Sequence, residues 1–115
     1  MSLTMPIDEE AIILNINERI VKNFLDIIIM NELRNGSFSG YDLMNYIHNK
    51  FQLLISSGTI YSLLYSLERN ELVKGTWTER KRTYQLTLKG TKTIQIILST
   101  TPDITYFTTN FLKIP

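Results

Sequence analysis

The chain contains no cysteine, which excludes a disulfide framework, thiolate chemistry and a structural zinc site of the usual kind. Its longest apolar run, Ile27-Ile28-Ile29-Met30, is far too short to span a bilayer, and its first residues lack the basic-then-apolar layout of a signal peptide. A cytoplasmic protein without a membrane partner is therefore expected. There is one histidine, His48, beside Asn49 and Lys50 and without a nucleophile motif or a second ligand, so it reads as surface. The 11 carboxylates are scattered rather than paired. No catalytic set and no metal site emerge, and neither an enzyme nor a cofactor is expected. Internal repeats and low-complexity segments are also missing.

What is present fits one soluble domain. The length is 115 residues, of which 43% are hydrophobic and 20% charged, enough for a modest core and against wholesale disorder. The net charge of +1 conceals an asymmetry. Up to Glu32 six acids (Asp8, Glu9, Glu10, Glu18, Asp26 and Glu32) face only Arg19 and Lys22, and the remainder holds ten bases against five acids.

The stretch from Ser56 to Asn70 reads as a helix with two chemically different faces. Ile60, Leu63, Leu64 and Leu67 fall at i, i+3, i+4 and i+7, which places them on one side facing the core. The other side carries Ser57, Thr59, Tyr61, Ser62, Tyr65 and Arg69, with no acid before Glu68. Ser56 or Ser57 serves as N-cap, bringing free backbone N–H groups and the positive dipole end beside the hydroxyls. Such a face approaches a polyanion closely, as a recognition helix must.

The flanking elements agree with that reading. Met1-Ser2-Leu3 is compatible with an expression leader, Met5 offering another start. Pro6 followed by Asp8-Glu9-Glu10 opens a short helix. From about Asn17 to Arg34, Ile20, Val21, Phe24, Leu25, Ile27, Ile28, Met30 and Leu33 cover more than half of a single helix surface, so two-sided burial is expected, against the domain and against the first segment or a second subunit. Asn35-Gly36-Ser37-Phe38 reads as a turn, its sequon notwithstanding. Ser39 caps the next helix with Asp42 as a weak capping box, Tyr41, Leu43, Met44 and Ile47 forming the inner face up to about Lys50. Phe51 to Ile55 is a small strand or a tight linker.

After Asn70 the period shifts toward two. Glu71 to Trp77 and Arg82 to Leu86 read as strands joined by Thr78-Glu79-Arg80-Lys81, a hairpin with Arg80, Lys81 and Arg82 at its tip. A hairpin directly after a recognition helix is a wing. Trp77, at a strand end, reads as cover over the core. Thr87 caps a helix from Leu88 to about Ser99 with Ile94, Ile97 and Leu98 apolar; Lys89 and Lys92 are expected to be solvated. Thr101 as N-cap, Pro102 at the first helical position and the acid Asp103 start another helix, along which Ile104, Phe107, Phe111 and Leu112 keep helical spacing.

Three blocks resemble the pattern of PadR-like transcriptional regulators: Phe24 to Leu33 leading into Ser39-Gly40-Tyr41-Asp42-Leu43-Met44; Ser57-Gly58-Thr59-Ile60-Tyr61-Ser62-Leu63-Leu64; and Arg82-Thr83-Tyr84-Gln85-Leu86-Thr87-Leu88-Lys89-Gly90. They keep the family's order and spacing over roughly residues 19 to 98. The resemblance implies a dimeric winged-helix repressor, with the Gly58 to Tyr65 helix in the major groove, the wing on the backbone and terminal helices pairing the subunits. Two departures stand out: Ser57 occupies a position where the family usually has proline, and glycine is missing near Asn70 and Glu71. The wing is short, and the C-terminal part resembles the family's smaller members. Some relatives bind small aromatic compounds near the dimer interface, which makes a small aromatic effector a candidate partner by resemblance alone.

The expected fold is mainly α (α+β), a winged helix-turn-helix with a two-stranded wing and additional terminal dimerisation helices. The expected division is residues 1–16 as an N-terminal extension or short helix, 17–98 as the DNA-binding domain and 99–115 as a dimerisation segment. Ser56, Ser57, Gly58, Thr59, Tyr61, Ser62, Tyr65, Arg80, Lys81 and Arg82 are the candidate DNA contacts. For Tyr61, phosphate contact is favoured over base reading. Ile20, Phe24, Ile27, Ile104, Phe107 and Phe111 are the candidate dimer contacts. The expected partners are a second copy and a roughly palindromic double-stranded operator, bound to repress transcription. The alternative is a winged-helix protein-interaction module that docks a partner on Tyr61 and Tyr65 without binding DNA.

Overall fold

A single core of interlocking aliphatic side chains joins four helices and a small sheet. In the computed structural model, residues 7–112 are described; the reading of Pro6 as a helix start lies outside them. The elements are α1 (Glu9–Asn23), α2 (Leu25–Glu32), a 3-10 turn (Leu33–Asn35), β1 (Phe38–Ser39), α3 (Gly40–Phe51), α4 (Ser57–Arg69), β2 (Val73–Thr78), β3 (Lys81–Leu86), α5 (Leu88–Ser99) and α6 (Thr101–Phe111). Ile29 of α2, Leu43 and Ile47 of α3, Ile60 and Leu64 of α4, Val73 of β2 and Ile94 of α5 are almost wholly enclosed. Removing any of these from water is worth about 1.5–3 kcal/mol, so the four helices and the wing base are locked by one shared contact set.

The long helix expected from Asn17 to Arg34 is two helices. At Phe24 the backbone leaves helical geometry (φ −111°, ψ 21°), and the Phe24 N–H is shared between the carbonyls of Ile20 and Val21. The physical reason lies in burial. Leu25, Ile29, Met30 and Leu33 enter the core, whereas no described residue of α1 is buried. The excess of apolar positions therefore belongs to two segments with different surroundings. Asp8 caps α1, accepting a hydrogen bond from the Ala11 N–H at 3.1 Å.

The Ser39 capping box forms in full: Ser39 Oγ accepts from the Asp42 N–H (3.1 Å), and Asp42 accepts from the Ser39 N–H (2.9 Å). Tyr41 corrects the expected inner face, because it points outward and is 66% exposed. The Phe51 to Ile55 connection contains no strand; Gln52 adopts a left-handed conformation (φ 56°) that ends α3, and the chain runs extended into α4.

Phe38 and Ser39, read as part of a turn and as a cap, also pair with Tyr84 and Thr83, adding a third strand in the order β1-β3-β2. Two residues carry no readable period, which is why this strand escapes sequence analysis. The wing strands pair antiparallel from Val73 opposite Leu86 to Thr78 opposite Lys81, so the loop is only Glu79-Arg80, with Glu79 at φ 58°. Thr87 caps α5 by accepting from the Gly90 N–H, as expected. For α6, Thr101 is the first helical residue rather than the cap, and Pro102 sits in the first turn.

Candidate nucleic-acid interface

The Ser56 hydroxyl starts α4 by accepting from the Thr59 N–H at 3.2 Å, and it shares a hydrogen bond with the Thr59 hydroxyl at 2.9 Å. Two of the predicted contacts thus form the cap itself. Ser56, Ser57, Gly58, Thr59, Tyr61, Ser62 and Tyr65 are all exposed, while Ile60, Leu64 and Leu67 are buried behind them. A Cβ on Gly58 would meet nothing nearer than Ser56 Oγ at 4.0 Å. Packing within the chain does not require glycine there, and its effect is to leave the first turn open to close approach.

Gly40 is different. A Cβ there would lie 2.6 Å from the Tyr61 ring, so the glycine lets α4 lay Tyr61 across the start of α3. In that contact Tyr61 remains about half exposed.

The three bases assigned to the wing tip occupy unlike positions. Arg80 is exposed and has no ion pair among the described residues. Lys81 stands 3.6 Å from Asp42, a long and half-exposed pairing. Arg82 turns inward: it donates to Glu68 Oε2 at 2.7 Å and lies over the Tyr84 ring, its guanidinium carbon 5.5 Å from the centroid. Glu68 Oε2 also accepts from the Gly75 N–H at 3.0 Å. Gly75 stands opposite Tyr84 on the inner wing face, and a side chain there would collide with the Arg82 guanidinium. One carboxylate at the end of α4 therefore holds both wing strands. In the sequence Glu68 stands out only as the first acid on the helix, and no local pattern links it to positions 7 and 14 residues later.

Trp77 is not core cover; it is 70% exposed. Its register explains this. Val73, Gly75 and Trp77 share the inner face with Arg82, Tyr84 and Leu86, but the core ends at Val73 and Tyr84, leaving Trp77 beyond the helices. Burial pushes the Tyr84 phenol above its usual pKa, partly offset by the Arg82 charge, so it stays protonated at neutral pH. The Asp42 carboxyl is held below its usual value, chiefly by the Ser39 backbone N–H. His48 is exposed, as are Lys89 and Lys92, although Lys89 donates to the Asn70 carbonyl at 3.0 Å.

Of the six candidate dimer contacts, Ile27 packs partly against the chain's own core. Ile20, Phe24, Ile104, Phe107 and Phe111 are between 44% and 73% exposed. Among the described residues no group of acids and histidine has the makings of a metal site, and no helix is long and apolar enough to cross a membrane.

Three helices, a capped second helix with an acid-poor outer face and a hairpin clamped to its end define a winged helix-turn-helix domain. The family model for the "Transcriptional regulator PadR-like family" matches residues 29–96, and the chain belongs to that family. Among solved structures, a transcriptional regulator from Clostridium thermocellum is 25% identical with a TM-score of 0.73, covering 83% of this chain and 96% of its own. A PadR family regulator from Eggerthella lenta has the same fold at 17% identity and a TM-score of 0.76, covering 92% of this chain and 96% of its own. Bacillus subtilis PadR, solved in complex with operator DNA, is 26% identical with a TM-score of 0.60, over 64% of this chain and 46% of its own. A comparison with curated proteins finds no match.

Proposed function

We propose that this chain is a homodimeric repressor that binds a roughly palindromic duplex operator, reading bases with α4 and gripping the backbone with the wing. The observation that carries the reading is the outer face of α4. Seven polar, glycine or tyrosine positions stand exposed on a capped helix start whose opposite face is locked into the core, and the adjoining wing presents Arg80 and Lys81. The similarity to Bacillus subtilis PadR, itself solved on operator DNA, supports the same use of this face.

Dimerisation is supported by α1 and α6. Neither contributes a buried residue, yet Ile13, Ile16 and Ile20 line one helix, with Phe24 at its C-terminal cap, and Ile104, Phe107 and Phe111 line the other. Apolar stripes of that length are ordinarily covered by a partner. A two-fold dimer sets its recognition helices in successive major grooves, with half-site centres about 10 bp apart or a multiple of that.

The testing experiment is selection of bound sequences from a randomised duplex pool at two salt concentrations, with the solution mass measured alongside. A palindromic motif and a dimeric mass are expected. Binding without a motif would replace the regulator by a non-specific DNA coat, and no binding at low salt would move the α4 face to a protein partner.

A further inference from the structure

Beside the α4 face lies a cleft whose chemistry duplex binding does not require. It opens between the wing and the starts of α3 and α4, with a volume of about 540 Å³, within the range of small-molecule sites. Four rings converge on it: Tyr41 of α3, Tyr61 of α4, and Trp77 and Tyr84 of the wing. Arg80 and Lys81 stand at the same cleft, and none of its lining residues is acidic. Arg82, also present, is paired with Glu68 at 2.7 Å, and Lys81 faces Asp42, which lies outside the cleft, at the longer 3.6 Å.

We propose that this cleft binds a mononucleotide, its base stacked on Trp77 and its phosphate held by Arg80 and Lys81. Trp77 and Tyr41, 70% and 66% exposed, offer two planar apolar faces that the core does not use. Unpaired bases stack on such faces whatever their sequence, whereas the bases of a duplex are already stacked and paired. Arg80, without an ion pair among the described residues, and Lys81, held by Asp42 only at 3.6 Å, match a phosphate better than a single carboxylate. The site itself stands independently of the proposed operator binding. Its consequence rests on that reading: Arg80, Lys81 and Tyr61 serve both sites, so nucleotide and operator exclude each other.

Trp77 is the chain's only tryptophan, so the fluorescence of the full chain reports directly on the cleft. Titration with adenosine monophosphate is expected to give a saturable change with half-saturation at about 0.1–1 mM. Adenosine alone and inorganic phosphate alone should each bind about tenfold or more weakly, and so should adenosine monophosphate to the Arg80→Ala/Lys81→Ala variant, whose folding circular dichroism checks. A linear, unsaturated response would overturn the proposal. So would equal binding of benzoate or phosphate, or an unaffected double variant. Duplex retention by the wild-type chain is then measured with and without the nucleotide. Saturable nucleotide binding without duplex binding would remove the operator reading and leave the cleft proposal standing; duplex binding without saturable fluorescence would do the reverse.

Discussion

Glu71 sits in the left-handed region (φ 62°) immediately after α4, where helices usually place glycine. The hydrogen bonds there form a Schellman arrangement, Leu72 N–H to the Leu67 carbonyl at 2.9 Å and Glu71 N–H to the Glu68 carbonyl at 3.0 Å. The family resemblance marked glycine as missing near this point, and the backbone supplies the reason it is usual. A left-handed L-residue costs about 1–2 kcal/mol, part of which glycine returns as backbone entropy. Glu71→Gly should therefore raise stability by about 0.5–1 kcal/mol in urea unfolding; no gain would mean that the conformation is not strained. A second residue-scale prediction concerns pH. The Asp42 carboxyl is held low mainly by the Ser39 N–H, so its folded pKa lies below its unfolded one. Its contribution is present above about pH 4 and is lost as pH falls through the folded value. Asp42→Asn should lower stability at pH 7 and flatten the loss on acidification, and a wild-type acid limb in the variant would contradict it.

At the scale of elements, α4 and the wing act as one unit because Glu68 binds Gly75 and Arg82 together. Arg82→Met should free the wing from α4 without opening the core, since Val73 and Tyr84 stay buried. DNA affinity is expected to fall severalfold while amide exchange quickens in β2 and β3, and unchanged exchange there would refute the clamp. Division of labour between elements gives another test. If Arg80 grips the backbone of a dimer-bound operator as proposed, Arg80→Ala removes two phosphate contacts, and the log–log salt slope should be shallower by about two with sequence preference intact. Ser62→Ala should alter preference instead; equal profiles for both variants would defeat the division. The helices were legible in the sequence wherever burial alternates with a period of 3.6, as at Ile60, Leu64 and Leu67. The break at Phe24 and the two-residue β1 were not, because each is decided by partners distant in the chain. The same holds for the inward Arg82 and the outward Trp77: residue type placed both in the wing, but only strand register and the edge of the core determine which way each faces.

The molecule as a whole is elongated. Its radius of gyration is 17.7 Å, against about 13 Å for a compact chain of this length, and it extends over 67 Å in its longest direction. The excess comes from α1 and α6, neither of which contributes a buried residue, although Val21 of α1 packs against the core from outside. Such arms gain little from their own chain, and their stability as helices depends on covering their apolar sides. Phe107 and Phe111 stack with centroids 6.0 Å apart and are 68% and 73% exposed. In the proposed dimer they anchor the matching helix of the second copy. Replacing both by aspartate should therefore convert a dimer to a monomer by light scattering, while the circular dichroism of the core helices is retained. Because each half-site contact is then made alone, affinity for a palindromic duplex should fall by about 10² or more even though no DNA-facing residue has changed. A variant that stays dimeric would shift the interface to α1 alone. One that becomes monomeric yet binds undiminished would show that a single winged helix suffices for the operator.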